Sequence, residues 1–292
     1  MKGNLRKSNT MTGKTLIPFL AITFGLSWSI AAIVILFYDQ VIAIFGEISV
    51  INPIYILMVY SPGIAGVFLV WWHYRTKGLG SFFKRLTLWR APLGWWLFLI
   101  LGIPAVVYTG AAIKGTISDP FPFSPWYQVL SALAIALFLG PIEEFGWRGL
   151  ALPLLQRRFA PIWAGLILGI TCAAWHIPAF FMSGTPMTNW SFVPYFGGVV
   201  AIYVILTPFF NASRGSLVVA YLYHFQMMKP IFPDAQPYDN ILWMAVAVIV
   251  VLLNRRKMFR RGEGVKEVLM PEEEDAPAAA RYPQADVGMS EV

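Results

Sequence analysis

The sequence predicts an all-α polytopic membrane protein with about eight transmembrane helices. Of the 292 residues, 58% are hydrophobic and only 13% are charged, whereas soluble domains contain about 25% charged residues. The apolar residues form runs of roughly 20, the length that spans a bilayer as a helix. Lys and Arg residues cluster between these runs, as expected for loops on the cytoplasmic side of a membrane.

Eight apolar runs are candidates for spanning helices. In chain order they cover 15–38, 54–73, 94–113, 127–155, 162–181, 192–212, 216–232 and 238–254. The fourth run is interrupted by Glu143, Glu144 and Arg148. The eighth has the shortest apolar part, and it spans only if the helix continues into Arg255 and Arg256, whose long side chains reach the interface.

The distribution of basic residues predicts that both termini are cytoplasmic. With eight spans, Lys and Arg fall almost entirely on the side of the N-terminus, and the other side holds only Lys114 and Lys229. The predicted divisions are a cytoplasmic N-terminus at 1–14, a transmembrane helical domain at 15–261 and a cytoplasmic tail at 262–292. The tail carries two basic and eight acidic residues, a net charge of −6, and this composition is typical of disorder.

Composition also excludes several classes of protein. The net charge of +7 arises from loop clusters rather than from one basic face, so nucleic-acid binding is not expected. The run at 15–38 is too long for a signal peptide, and we predict a retained first helix in a plasma membrane. The single cysteine, Cys172, can form no disulfide within the chain.

The basic, aromatic segment 75–93 is interpreted as a loop, with a short amphipathic surface helix as the alternative.

The three charges in the fourth run need an explanation. Unpaired at a helix centre, they would cost on the order of 8–10 kcal/mol together. Glu144 and Arg148 lie four residues apart and can pair on one helical face. Glu143 points about 100° away from Glu144 and therefore remains without an obvious local cation. The simpler interpretation of the pair is an interfacial anchor, but Glu143 is a candidate general base.

Two of the three histidines also lie inside apolar runs. His176 precedes Ile-Pro in the fifth run, and His224 lies in the seventh; Pro178 is expected to loosen the first of these helices. His73 ends the second run and is interpreted as an interfacial residue. A single histidine in a membrane helix is often a packing residue. Two histidines and a glutamate on a third helix together suggest proton transfer or metal binding.

Here the sequence resembles a known family. Glu143-Glu144-x-x-x-Arg148, His176 followed by Ile-Pro, and Asn211-x-x-Arg214-Gly-Ser-Leu leading to His224 are similar to motifs of the CAAX protease and bacteriocin-processing family. This family, also called the Abi or type II CAAX prenyl protease group, comprises multi-helix intramembrane endopeptidases. The resemblance covers residues 125–230.

The resemblance implies a role for each matched residue. Glu143 matches the glutamate that activates the attacking water, and Glu144 with Arg148 matches the pair that orients the site. His176 matches a histidine that holds the water or a metal, and His224 matches one that stabilises the oxyanion or binds metal. The implied substrate is a membrane protein or a lipidated peptide at the bilayer.

The chain departs from the family's usual pattern at two positions. Cys172 stands where the family usually has Phe, four residues before the first histidine. Met228 stands where it usually has Asn, four residues after the second. An amide can donate a hydrogen bond to an oxyanion but a thioether cannot, and losing one such donor costs about a hundred- to a thousand-fold in rate. Gln226 is expected to face away, whereas Lys229 is a candidate substitute.

The sequence leaves open whether a metal is used and whether the chain is active. Glu143, His176 and His224 can supply three ligands to a divalent metal such as zinc, or Glu143 can act as a base without metal. The predicted function is hydrolysis of a peptide bond within the membrane. The alternative, favoured by Met228, is a non-catalytic relative that acts as a membrane scaffold, immunity or regulatory protein. A proton-coupled carrier is a third hypothesis, but such carriers usually contain internal repeats, and none is evident.

Overall fold

A computed structural model describes residues 11–119, 121–229 and 231–270, and its regular elements are all helical. The helices are α1 (Leu16–Leu36), α2 (Tyr38–Phe45), α3 (Pro53–Val59), α4 (Ser61–Lys84), α5 (Leu93–Lys114), α6 (Gln128–Gln156), α7 (Pro161–Trp175), α8 (Phe192–Ala212), α9 (Leu217–Met227) and α10 (Tyr238–Met258). The predictions for residues 1–10 and for 271–292, most of the acidic tail, lie outside the described residues.

The predicted all-α membrane class is confirmed. The described residues contain five helices that are long and apolar enough to cross a membrane, or six if α3 and the bent helix after it form one span. Each of the eight predicted runs contains a helix, but α9 has only 11 residues and α10 has three basic residues in its last turn. The count of eight is therefore not confirmed, and the orientation stays a prediction.

The second predicted run is bent rather than straight. Pro53–Val59 and Ser61–Thr87 meet at an angle of 57°. The interpretation of 75–93 as a loop is wrong for its first half, because α4 continues to Lys84 after a break at Arg75. A single 3-10 turn, Arg85–Thr87, follows. The apolar residues Phe82 and Leu79 of this half pack into the core, which explains why it is helical.

The bundle is built around α8. Of its most apolar 18-residue window, 56% is buried, against 28% for α1, so α8 is enclosed while α1 lies at the edge. α8 packs along both α7 and α10, and α1 packs along α4. The middle of α6 lies against α4 and α9. This arrangement surrounds the charged segment of α6 with other helices instead of lipid.

The charged segment begins where α6 is broken at Pro141. Proline has no N–H, so the carbonyl of Leu137 loses its helical partner; the hydroxyl of Tyr221 donates to it instead. The next carbonyl, of Phe138, accepts from Tyr60 Oη at 2.7 Å. Non-helical backbone inside a membrane protein is tolerated where other side chains satisfy it in this way. The break turns a tight 3-10 segment, Pro141–Glu143, toward the interior.

Glycines allow α4 to approach this segment closely. A Cβ on Gly66 would lie 2.7 Å from Gly146 Cα, and one on Gly63 would lie 2.6 Å from the carbonyl oxygen of Ile142. Neither position accepts a larger residue without a backbone shift. Small residues of this kind are the usual means of close packing between helices in membranes.

Residues 264–270, here called the terminal strap, fold back onto the bundle after α10. The Val265 amide donates to Asn211 Oδ1 at 3.0 Å, and Gln156 Nε2 donates to the Val265 carbonyl at 2.9 Å. Arg85 is buried and donates to the carbonyls of Val268 and Gly149, each at 2.8 Å. The sequence assigned this segment to the tail, but the strap is tied to the ends of α4, α6 and α8.

Candidate active site

Glu144, Arg148 and His224 form one hydrogen-bonded network. Arg148 NH1 and His224 Nδ1 each lie 2.7 Å from Glu144 Oε1. Glu144 and Arg148 are 1% and 2% exposed, so they are paired in the interior, as a charge in a membrane protein must be. The Arg148 guanidinium also lies over the Tyr203 ring, 3.4 Å from its centroid. The predicted pairing of Glu144 with Arg148 is confirmed, but as a buried pair rather than an interfacial anchor.

Glu143 is equally buried but held much more weakly. It is 4% exposed, and Trp147 Nε1 lies 3.4 Å from its Oε2. The indole of Trp147 is fixed by edge-to-face contacts with Phe19 at 5.3 Å and Trp175 at 6.1 Å. No ion pair to Glu143 occurs within the described ranges. Among the described residues, Glu143 is therefore held by a single long hydrogen bond and not by an ion pair.

His176 begins the turn that follows α7. The α-helix ends at Trp175 and a 3-10 turn, Ile177–Phe181, contains Pro178, so the predicted loosening of this helix is confirmed. His176 Nδ1 lies 2.8 Å from the carbonyl oxygen of Cys172. Because a carbonyl only accepts, Nδ1 carries the proton and Nε2 of the neutral ring keeps a lone pair.

The five predicted site residues meet at one cavity of about 520 Å³. Polar groups from α6, α7, α8 and α9 line its interior, while methionines and aromatic rings line much of the rest. The lining includes Glu143, Glu144, Arg148, Cys172, His176, Tyr203, Tyr223, His224, Met187, Trp190, Met227 and Met228. His73 is not among the lining residues; its ring bonds to the Leu69 carbonyl at 2.9 Å. The cavity is therefore polar at its centre and apolar around it.

The three possible metal ligands that lie together in this cavity differ from the predicted set by one residue. One donor atom each from Glu143, Cys172 and His176 lie within 4.8 Å of one another. The predicted set contained His224 in place of Cys172, but the Nδ1 of His224 is bonded to Glu144. Carboxylate, thiolate and imidazole are all zinc ligands. The three side chains therefore fit a divalent metal by donor type and by grouping.

Sequence reasoning missed Tyr203 and undervalued Cys172. Tyr203 lies in a uniformly apolar run, where nothing marks it as a partner of Arg148. Cys172 lies four residues before His176, so the two share a helical face, and this spacing was the available signal. The family resemblance marks Cys172 only as a departure from the usual Phe.

The residues after His224 bear on the second departure from the family pattern, Met228 in place of the usual Asn. A Cβ on Gly140 would lie 2.6 Å from Met228 Sδ and 2.7 Å from His224 Nε2, so Met228 lies beside the histidine at the cavity wall. Gln226 faces away, as predicted, with its Nε2 3.4 Å from the Leu99 carbonyl. Lys229 lines the cavity, but its ammonium is paired with buried Asp239. Lys229 therefore does not replace the missing amide next to His224.

The sequence of this region also matches a known protein family. Residues 125–227 match the family model described as type II CAAX prenyl endopeptidase Rce1-like. Residues 125–227 are therefore similar to the Rce1-like family, and they are called the Rce1-like segment below. The Rce1-like segment contains the five predicted site residues and Cys172, and it ends one residue before Met228. The family resemblance predicted from the sequence is confirmed.

A curated relative supports the same assignment. The CAAX prenyl protease 2 of Methanococcus maripaludis is 25% identical over 176 residues, a match that spans 56% of this chain and 63% of the relative. The match thus spans less than two thirds of the length of that relative. The chain is therefore similar in sequence to a protein that is named as a protease.

Proposed function

We propose that the protein hydrolyses a peptide bond of a membrane-associated polypeptide inside the cavity. One observation carries the proposal. Glu143, which has no ion-pair partner in the described part of the chain, shares a buried cavity with His176 and with the network of Glu144, Arg148 and His224. A carboxylate and imidazoles in a protected polar pocket are groups suited to general acid–base hydrolysis.

The chemistry begins with a water between Glu143 and His176. The Glu143 carboxylate takes one proton from the water while the water oxygen bonds to the carbonyl carbon of the substrate. The carbonyl π electrons move to its oxygen and form a tetrahedral oxyanion. When the C–N bond breaks, the proton held by Glu143 passes to the leaving nitrogen, which gives a carboxylic acid and an amine.

His176 and His224 have different parts in this scheme. Nε2 of His176 accepts a hydrogen bond from the water and orients it. His224 Nε2, beside Gly140 at the cavity wall, donates to the oxyanion when the ring is protonated, and Glu144 Oε1 balances that charge. Arg148 holds Glu144 in place and so acts as a positioning residue. Such pairs act strongly where water is excluded.

In a metal-dependent alternative to this scheme, Glu143, Cys172 and His176 would instead hold a divalent metal such as zinc, which would supply Lewis-acid polarisation. The apolar parts of the cavity are suited to a hydrophobic segment. The proposed substrate is therefore a membrane protein or a lipidated peptide, and the proposed location is the plasma membrane. Methionine side chains adapt to irregular apolar ligands, which suits a lipid chain or an apolar helix.

The test uses the purified protein in lipid vesicles with a panel of lipidated and transmembrane peptides. Glu143→Gln is expected to lower cleavage by about 10²–10⁴-fold, the usual contribution of a general base. Glu47→Gln makes the same chemical change at an exposed carboxylate outside the cavity and is expected to cleave normally. Equal cleavage by Glu143→Gln and the unmutated protein would exclude this mechanism.

Met228 favours a second candidate, a non-catalytic scaffold, immunity or regulatory protein. Because Met228 lies beside His224, Met228→Asn would place an amide donor next to the proposed oxyanion. For a weakened peptidase we expect cleavage to rise about a hundred- to a thousand-fold. Met187→Asn changes a methionine elsewhere in the cavity wall and serves as the matched control. No cleavage by either the unmutated protein or Met228→Asn supports the binding function.

A further inference from the structure

We propose that a pocket between the end of α4, the end of α8 and the terminal strap binds one phosphate group, with the guanidinium groups of Arg85 and Arg214 as its cationic contacts. The phosphate belongs either to the headgroup of an anionic membrane lipid or to free inorganic phosphate, and separate titrations distinguish these sources. This strap pocket shares no lining residue with the cavity of the proposed function. The inference therefore does not depend on peptide cleavage.

The strap pocket has a volume of about 350 Å³, which is in the size range of small-ligand sites. Arg85 lines it from the end of α4, Asn211 and Arg214 line it from the end of α8, and the strap closes the other side. The strap is fixed there because Asn211 Oδ1 accepts a hydrogen bond from the Val265 amide at 3.0 Å. The pocket is therefore a built part of the fold.

Arg85 is a buried cation without a counter-ion. It is 1% exposed, and no ion pair to it occurs within residues 11–119, 121–229 and 231–270. Its Nε donates to the carbonyl of Gly215 at 2.9 Å, and its NH1 donates to the carbonyls of Gly149 and Val268. Its NH2 is buried and has no hydrogen-bond partner among the residues that the structure describes. Because buried charges are normally paired, the pocket beside Arg85 is short of one negative group.

Arg214 supplies a second cation on the exposed side of the pocket. It lines the pocket, it is exposed, and it has no ion pair in the described part of the chain. Its φ of 59° lies in the left-handed region, which residues other than glycine rarely adopt. Strained backbone of this kind is often found where a side chain serves a ligand. One buried and one exposed guanidinium suit a phosphate, which arginine binds through its fork of N–H donors.

Two glutamates also line the pocket, but both have other partners. Glu263 Oε1 lies 3.5 Å from Arg260 NH1, and Glu267 Oε2 accepts a hydrogen bond from the Lys266 amide at 3.1 Å. Neither carboxylate is within ion-pair distance of Arg85, and both are exposed. Water screens an exposed carboxylate more than a buried guanidinium, because the effective dielectric constant is lower in the interior. The positive charge of Arg85 therefore dominates the inner part of the pocket.

The helix ends next to the pocket carry further exposed basic side chains. They follow α6 or lie in the last turn of α10, and they are Arg157, Arg158, Arg255, Arg256 and Lys257. Clusters of Lys and Arg beside membrane spans, and basic pockets between spans, bind the headgroups of anionic lipids. The cluster attracts anions to this end of the bundle, and the pocket supplies the specific contact. We therefore expect an anionic phospholipid to be the preferred source of the phosphate.

The test titrates purified full-length protein in neutral detergent micelles with phosphatidylglycerol, with phosphatidylcholine and with inorganic phosphate. Apparent affinity is taken from the rise in the thermal unfolding midpoint, since a ligand of the native state stabilises it, and native mass spectrometry gives the stoichiometry. At about 0.5 M salt, where exposed charges are screened, we expect one phosphatidylglycerol per chain to bind more tightly than phosphatidylcholine. Tighter binding of inorganic phosphate than of the lipid would support the site and assign it to free phosphate. No saturable binding of either anion would overturn the proposal.

Arg214→Gln separates the pocket from general attraction to a basic surface. It should weaken binding of the anion about ten- to a hundredfold, the contribution of a hydrogen bond between charged groups. Arg158→Gln makes the same change at an exposed arginine outside the pocket, and at this salt concentration it should weaken binding less than about twofold. Both side chains are exposed, so both variants should fold. Equal losses of affinity in the two variants would overturn the proposal.

Glu267→Gln tests whether the strap's own carboxylate is instead the counter-ion of Arg85. Removing this like charge should tighten binding of the anion about fivefold, the usual effect of one charge near an anionic headgroup. If Glu267 neutralised Arg85, the variant would unfold at a lower temperature without ligand and would bind the anion no more tightly. Unchanged or weaker binding in folded Glu267→Gln therefore contradicts the proposal.

Discussion

Glu143 and Glu144 are neighbours in the sequence and are buried to the same degree, yet their surroundings differ completely. Glu144 shares one oxygen between Arg148 and His224, each at 2.7 Å. Glu143 has only the indole N–H of Trp147, at 3.4 Å. One carboxylate is fixed by charged partners and the other faces the cavity nearly uncommitted. The difference separates a positioning group from a candidate reactive group.

The backbone produces this difference. A 3-10 turn ends at Glu143 and an α-helical segment starts at Glu144, and successive residues of a helix point about 100° apart. Glu144 is directed toward Arg148 and α9, while Glu143 belongs to the group formed with the end of α7. Two adjacent carboxylates can therefore have separate roles. The free energy of unfolding of substituted variants tests how much each carboxylate and its partners stabilise the fold.

The largest expected effect is that of Arg148→Ala. It leaves Glu144 buried beside His224 without its guanidinium partner. Removing one member of a buried ion pair costs about 3–5 kcal/mol, and we expect that loss in the free energy of unfolding, measured by denaturant titration in micelles. Arg260→Ala, at an exposed ion pair, is the control with little expected change. A loss as small as that of the control would mean that the Glu144 network does not stabilise the fold.

A smaller effect is expected for His224→Gln. The change removes one of two hydrogen bonds to Glu144 Oε1 but keeps the ion pair with Arg148. Loss of a hydrogen bond to a buried charged group costs about 1–3 kcal/mol. His73→Gln, whose ring bonds only to a backbone carbonyl of its own helix, is the matched control. Equal losses for the two variants would contradict the special position of His224.

The smallest effect on stability is expected for Glu143→Gln. This carboxylate has no ion-pair partner in the described part of the chain, so an amide of the same shape should change the free energy of unfolding by less than about 1 kcal/mol. Glu144→Gln is the comparison, because it breaks a buried ion pair and should cost several times more. A large loss in Glu143→Gln would indicate a structural role, and the contrast between the carboxylates would disappear.

Much of the molecule follows from local sequence signals. Long apolar runs predict the helices, because a helix that spans a bilayer needs roughly 20 apolar residues. The spacing of Glu144 and Arg148 predicts their ion pair. The contact between His224 and Glu144 is harder to predict from the sequence, because it depends on how α6 and α9 pack. That packing depends on the break at Pro141 and on the glycines of α4, which a hydrophobic pattern does not specify.

Two regions show why other features could not be predicted. The stacking of Arg148 on Tyr203 joins residues from different helices, and no motif links them. The terminal strap follows a cluster of basic residues and belongs to an acidic segment, so its composition predicted disorder. Its side chains Val265, Val268 and Leu269 nevertheless pack against the core. A few apolar residues with suitable backbone partners outweigh the average composition there.

The terminal strap has a practical consequence for work on this protein. Gln156 lies two helical turns beyond Arg148 on the same stretch of α6, and it bonds to both Asn211 and the Val265 carbonyl. A topology reporter or affinity tag joined directly after α10 would displace the strap and expose Arg85. Loss of function in such a fusion would then reflect a loosened bundle rather than a fault in the cavity. Fusions should therefore begin beyond residue 270.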